Sequence, residues 1–226
     1  YIGLVAERFY DISDFDNAGN LKEGIPTPSF GSVQPGDVKY SDLDENGVVD
    51  QNDITQIGKS VYPEWYYSFG GKIGFKGFDL EVLFQGAAGA SVNLLDNWNQ
   101  TVAFVNNGNA YEIAKGAWAY YPTEGIDTRA TARYPRLTTQ SNENNYQTSS
   151  MWIKSADYLK LRNLELGYNF NTIKLQKAGI ENLRIYLSGH NLATFSGLLK
   201  HYNLDPERIS GYPTVRSYNV GVSITF

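Results

Sequence analysis

Apolar and polar residues alternate with period two along several stretches of this chain. Near its end, Tyr218, Val220, Val222, Ile224 and Phe226 fall on one face, and Asn219, Gly221, Ser223 and Thr225 on the other. That period belongs to a β-strand with one apolar and one polar face, and Val, Ile and Tyr suit a pleated surface. Upstream, Tyr67, Phe69, Ile73 and Phe75 alternate with Ser68, Gly70, Lys72 and Gly74. After Lys76-Gly77, the residues Phe78, Leu80, Val82 and Phe84 alternate with Asp79, Glu81 and Gln85, which predicts a hairpin whose glycine supplies a positive φ. Leu159 and Leu161 share one parity, whereas Leu164, Leu166, Tyr168 and Phe170 share the other. A β-bulge near Arg162–Asn163 would restore a common face. Leu183, Ile185 and Leu187 then alternate with Arg184, Tyr186 and Ser188. The reading is five strands, over 66–75, 78–86, 158–170, 183–195 and 214–226, with a sixth expected to pass through or end near Tyr1–Tyr10. One or two helical turns are expected over Thr172–Ala178, with Gly179 at the C′ position.

The connections alternate in length. Lys76-Gly77 and 171–182 are short, whereas 90–156 and 196–212 are long. Outer-membrane barrels pair short periplasmic turns with long external loops, and a compact soluble domain seldom carries a loop as long as 90–156. Aromatics gather at the strand ends: Trp65 to Tyr67 and Phe195 at one level, Phe75, Phe78, Tyr168, Phe170 and Phe226 at the other, like two interfacial girdles. The expected fold class is therefore all-β, an antiparallel transmembrane β-barrel segment with long extracellular loops. Residues 1–65 would form an extracellular region and 66–226 the barrel strands. The competing reading is a soluble β-sandwich with a wet outer face. A sandwich needs a second apolar layer over the face led by Val220 and Val222; a barrel does not.

Composition narrows the function classes. In 226 residues, 42% hydrophobic, no run reaches the ~18 apolar residues of a membrane helix. A membrane barrel shows no such run either, because its strands alternate. The net charge of −5 argues against a nucleic-acid surface. With no cysteine, disulfide staples and thiolate metal sites are out. No signal peptide opens the chain, so for an exported protein the expectation is a fragment with its signal upstream.

Five ordered blocks resemble one family. Pro35-Gly36-Asp37-Val38-Lys39-Tyr40 with Asp42-Leu43-Asp44-Glu45-Asn46-Gly47-Val48-Val49-Asp50 is similar to the PGDIKY…DLNGDGVID stretch of SusC/RagA-type TonB-dependent transporters. Phe75-Lys76-Gly77-Phe78-Asp79-Leu80 and Phe84-Gln85-Gly86 resemble their YKGFDL…FQG hairpin. The run from Ser155 to Tyr168 resembles the SYLRLKNVTLGY strand. Asn191-Leu192-Ala193-Thr194-Phe195-Ser196, with Asp205-Pro206-Glu207, and then Tyr212 to Phe226 complete the order. His190 stands where a Gln is usual, and Ala193 where a second Leu is usual. The resemblance implies the C-terminal part of a 22-stranded outer-membrane barrel. It also implies an N-terminal plug, energy through TonB, a SusD-like surface lipoprotein as lid, and oligosaccharide or peptide cargo. The plug and the TonB-contacting segment would lie outside this chain.

Residues 42–53 read D-L-D-E-N-G-V-V-D-Q-N-D, the register of a twelve-residue calcium loop. Asp42, Asp44 and Asn46 would offer side-chain oxygens at positions 1, 3 and 5, and Val48 its carbonyl. Asp50 would act directly or through water, and Asp53 would close the loop. Asp53 departs from the usual Glu, and Val38–Tyr40 reads as strand rather than as an entering helix. The plainer alternative is an Asx-rich turn, with Asp50 and Asp53 capping a short helix that ends near Gly58. Lys72, Asp79, Glu81, Lys160, Arg162, Glu165 and Arg184 share the polar faces. They either line a solute path or pair across strands, and pairing is the commoner outcome. Trp98, Trp118, Tyr120, Tyr121 and Trp152 are candidate sugar platforms or fillers of a local core. His190 and His201 are the only histidines, and no serine beside them has a nucleophile-elbow context, so an enzyme is not expected. The functional expectation is outer-membrane nutrient import in contact with membrane lipid. Its alternative is a soluble calcium-dependent carbohydrate-binding or adhesion module.

Overall fold

A computed structural model of the chain describes residues 1–170, 175, 177 and 179–226. These residues form two compact units. The helical turns expected over Thr172–Ala178 fall on a stretch that lies largely outside the described residues, while Gly179 has a φ of +77°.

One unit comprises Tyr62–Ala90 and Ala156–Phe226. It is a single antiparallel sheet of five strands in chain order: β1 (Trp65–Phe75), β2 (Phe78–Ala88), β3 (Tyr158–Phe170), β4 (Asn182–Ser196) and β5 (Ser217–Thr225). Lys76 and Gly77 both take positive φ, +47° and +87°, the twist that a two-residue hairpin needs. β5 begins at Ser217, later than the expected 214, because Thr214 is drawn out of the ladder. Its amide donates to Asp205 Oδ2 at 2.8 Å.

Register carries the alternation across the whole sheet. Ile73, Leu80, Leu166, Leu187 and Val220 form one cross-strand row, and Phe75, Phe78, Tyr168, Ile185 and Val222 form another. Rows of the other face alternate with these, such as Lys72, Glu81, Glu165, Ser188 and Asn219 beside the Ile73 row. The β3 register shifts between Leu161 and Asn163 against both neighbours, which is the predicted bulge. β4 carries a matching irregularity, with Asn191 at φ +54°. The apolar face is open: Phe75 is 71% exposed, Ile73 67%, Val220 75% and Val222 58%. Such a continuous apolar surface is rare on a protein that meets only water.

The second unit comprises Tyr1–Val61 and Ser91–Ser155. Its strands are short. Ile2–Gly3 pairs with Thr55–Gln56, and Ala6–Phe9 with Val38–Tyr40. The strand expected near Tyr1–Tyr10 is thus two short pieces of this unit rather than a member of the five-stranded sheet, for the local alternation cannot sustain a longer ladder. Ser91–Asn93 pairs with Ile153–Ser155 and closes the base of the long 90–156 connection. One core cluster gathers Leu4, Val38, Tyr40 and Val49, and a second Tyr10, Phe15 and Val33. The loop aromatics split. Trp152 is fully buried, edge-on to Tyr134 at 5.6 Å, with its indole N–H donating to the Asn145 carbonyl. Tyr121 stays 56% exposed. The guanidinium of Arg129 sits 3.9 Å from the centre of the Tyr120 ring.

Asp37 organises this unit. It is fully buried and accepts from Arg136 Nε at 2.7 Å, Asn145 Nδ2 at 2.8 Å, Asn142 Nδ2 at 3.0 Å and the Gln34 amide at 2.8 Å. A buried carboxylate is tolerable when its lone pairs are filled in this way. The two sequence-distant halves of the unit are thereby tied through a single side chain.

Candidate functional site

The Asp42–Asp53 stretch builds a carboxylate cage from a turn. Gly47, at φ +86°, lets the chain reverse, and its amide donates to Asp42 Oδ2 at 2.8 Å. The Asn46 amide donates to Asp42 and Asp44, each at 3.2 Å. Asp53 is fully buried and accepts from the amides of Leu43 at 2.6 Å and Asp50 at 2.8 Å. One carboxylate oxygen from each of Asp42, Asp44 and Asp53 can be chosen so that all lie within 4.8 Å of one another. Among the described residues no Lys or Arg pairs with any of the three. Like charges at this spacing favour an added cation, and hard oxygen donors suit calcium.

Of the six expected ligands, Asp42, Asp44 and Asp53 bring their carboxylates together. Asn46 Oδ1 accepts from the Val48 amide at 2.7 Å, and Asp50 Oδ1 from the Asn52 amide at 2.7 Å. Val48 lies in a two-residue strand parallel to Thr27–Pro28. The expected helix ending near Gly58 is a single 3₁₀ turn, Gln51–Asp53. Asp50 and Asp53 do form a reciprocal capping box on it, but Thr55–Gln56 is already strand, so the helix cannot continue.

The polar face of the sheet carries two charge clusters. In one, Lys160 is fully buried and donates to Asp205 Oδ1 at 2.9 Å, Glu207 Oε2 at 2.6 Å and Thr214 Oγ1 at 3.3 Å. Tyr158 Oη donates to Glu207 Oε1 at 2.6 Å. Arg162 donates to the same oxygen, to Gln85 Oε1 at 2.8 Å and to Asn191 Oδ1 at 2.9 Å. The two strand irregularities explain this reach, since the extra residue in β3 turns Arg162 towards the polar side. Burial alone would raise the Asp205 pKa, but the hydrogen bonds from Lys160 and Thr214 outweigh it and hold the group at about 2. Glu207 is likewise lowered: burial opposes the shift, and Lys160, Tyr158 and Arg162 overcome it.

In the other cluster, Arg184 joins Asp79 and Glu165, the latter at 2.7 Å, and Asn169 donates to Asp79 at 2.8 Å. Lys72 lies 3.7 Å from Glu81. All seven charged residues singled out on the polar faces therefore have charged partners. Reading the alternation could not supply Asp205 and Glu207 as partners of Lys160, because they lie 45 and 47 residues away in a loop without period.

Within the loop-built unit, a groove of about 720 Å³ is lined by Phe30, Gln34, Arg136, Thr139, Gln140 and Asn142, among others. The lining offers amides, hydroxyls and one aromatic face, together with two charged groups, Arg136, met by Asp37, and the exposed carboxylate of Glu143.

No protein-family model matches the chain. Over 96% of its length it is 28% identical to TonB-dependent receptor P3 of Formosa agariphila, and over 84% it is 25% identical to TonB-dependent receptor P26 of the same organism. It spans about a fifth of the length of these relatives, 22% and 20%. Among solved structures, the RagAB peptide transporter matches all of the chain with a TM-score of 0.64 at 20% identity, using 22% of that chain. The RagAB peptide importer in its open-open state matches with a TM-score of 0.62 at 19% identity, again over the whole chain and 22% of that one. Both likenesses concern the fold. With the ordered sequence blocks, the chain thus resembles TonB-dependent receptors in sequence and the SusC/RagA-type barrel in fold.

Proposed function

We propose that this chain forms part of the barrel wall and external loops of an outer-membrane importer of nutrients. The observation that carries the reading is the two-faced sheet. One face is apolar and open along its full width, and the other is charged and paired. In lipid the first face is satisfied by acyl chains and the second by a water-filled lumen. From Tyr67 to Phe75 a strand covers about 27 Å at ~3.4 Å per residue, close to the ~25 Å apolar band of such barrels. A soluble calcium-dependent carbohydrate module would need a second layer over Val220 and Val222, both of which are open. Energy would come through TonB, and a SusD-like lipoprotein would cover the outer mouth. RagAB is a peptide importer. For this chain the groove rich in amides and hydroxyls, with Phe30 at its side, supports an oligosaccharide. Bacteria with and without the transporter can be offered a labelled neutral oligosaccharide and a labelled peptide mixture. TonB-dependent uptake of the sugar alone is expected, and uptake of the peptides alone would reverse the cargo assignment.

The Asp42–Asp53 loop fits calcium, with Asp42, Asp44 and Asp53 as the direct carboxylate ligands. Bound there, the ion would fix the turn that leads from the Val38–Tyr40 strand to Val48–Val49. Calorimetric titration of the transporter with calcium chloride should show a binding heat that disappears in the Asp42→Ala, Asp44→Ala double variant. Equal heats in the two proteins would remove calcium from this loop.

A further inference from the structure

At the end of the sheet where Trp65 begins β1, the apolar face does not simply stop. It runs into a cleft of about 590 Å³ lined by Tyr67, Leu159, Phe195, Leu199 and Lys200, with Asp157 at its edge. Tyr67, Leu159 and Phe195 belong to one cross-strand row, joined through Gly86. Gly86 has no side chain, and the Tyr67 ring lies across it, its Oη donating to the Tyr158 carbonyl at 3.0 Å. The fourth wall comes from the short helix Gly197–Tyr202, which Ser196 caps by accepting from the Leu198 amide. Leu198 is buried, and its neighbours Leu199 and Lys200 reach the cleft.

The charges at this cleft are unequal in their freedom. Asp157 Oδ1 is committed to the Gly89 amide at 2.8 Å and the Ala90 amide at 3.4 Å. Lys200 is exposed, and no carboxylate pairs with it among the described residues. An apolar trough continuous with an apolar sheet face, ending at an uncommitted ammonium, matches an amphiphile with an acyl chain and an anionic head.

We propose that this cleft holds one phosphate-bearing membrane lipid, its acyl chain against Leu159 and Phe195 and its phosphate at Lys200. The proposal rests on the barrel reading above, which puts the apolar face in lipid. It adds a defined lipid position at the rim, where the ring of Trp65, Tyr66 and Phe195 marks the interface.

The test uses the full transporter extracted from outer membranes, in three forms: wild type, Lys200→Gln and Phe195→Ala. Each is exchanged into micelles with equal amounts of phosphatidylglycerol and phosphatidylcholine, and retained lipid is weighed on the intact protein by native mass spectrometry. The wild type is expected to retain phosphatidylglycerol over phosphatidylcholine by about fivefold, the effect of one lysine at an anionic lipid surface. Lys200→Gln should bring that ratio to about one, and Phe195→Ala should lower retention of both lipids. Equal ratios in wild type and Lys200→Gln overturn the proposal while leaving the barrel intact. Absence of the wild type from the outer-membrane fraction overturns the barrel reading and this site with it.

Discussion

Lys160 shows how much one buried side chain can hold. Its ammonium neutralises Asp205 and Glu207, and with Tyr158 and Arg162 it anchors the loop that carries them. Removing one partner from a buried ionic cluster strands the others, at a cost of roughly 3–5 kcal/mol. Lys160→Met should therefore free the loop, and trypsin should cut at exposed Arg208 many times faster than in wild type. Adding Asp205→Asn should recover most of the protection, because Glu207 keeps Arg162 as its partner and no charge is then left unpaired. Unchanged cutting in the single variant would show that the loop is held elsewhere. The pH dependence has a defined sign. The folded pKa of Asp205 lies below its ordinary 3.8, at about 2, so its stabilisation is full above the unfolded value and is lost as pH falls from 3.8 through 2. The protection factor of the Thr214 amide against hydrogen exchange should stay high from pH 8 to about 4 and fall only below that range. At this scale the sequence was only partly informative. The parity of Lys160 marked it as inward, but its loop partners had no pattern to announce them. Likewise Asp37 stood inside a recognisable block without any sign that four groups would converge on it.

The strands were legible because period two is a local property that a single stretch of chain displays. Lys76-Gly77 was legible for the same reason, since both residues must reach positive φ in two steps. Gly77→Val places a β-branched side chain at φ +87°, where its Cβ would also approach the Asn169 carbonyl at 3.0 Å. A loss of about 2 kcal/mol is expected, read as a lower midpoint in the heat-dependent gel migration of the barrel. A midpoint equal to wild type would mean that the hairpin is not needed in this form. The bulge was legible from the parity change between Leu161 and Leu164, whereas its companion in β4 was not, since Asn191 and Leu192 interrupt no long alternation. Inserting an alanine between Leu164 and Glu165, where the ladder is regular, should flip one half of β3 relative to the other. Outer-membrane insertion should then fall to near zero, and insertion at wild-type levels would refute the assigned register. Of the short strands of residues 1–61, Val38–Tyr40 was legible, whereas the two-residue pieces are too short to show a period.

For the whole molecule, the sheet ends in two edges, β1 and β5. An open edge leaves backbone donors and acceptors unpaired, at a cost of several kcal/mol each in lipid. The sheet therefore needs flanking strands, which accords with a chain that spans 22% of its receptor relatives. Expressed by itself without detergent, residues 1–226 should aggregate, and a monomer with one cooperative unfolding transition would contradict that expectation. The central claim is that the Ile73–Val220 face meets lipid and the Lys72–Asn219 face meets water. Nitroxide labels at Ile73, Leu187 and Val222, and at Lys72, Ser188 and Ser223, placed one at a time in the transporter in its membrane, measure this directly. Collision rates with dissolved oxygen and with a water-soluble nickel chelate should alternate. The first three sites should be high in oxygen and low in nickel, and the last three the reverse. Low collision rates with both reagents at Ile73, Leu187 and Val222 would mean that another protein layer buries this face, and would contradict the barrel.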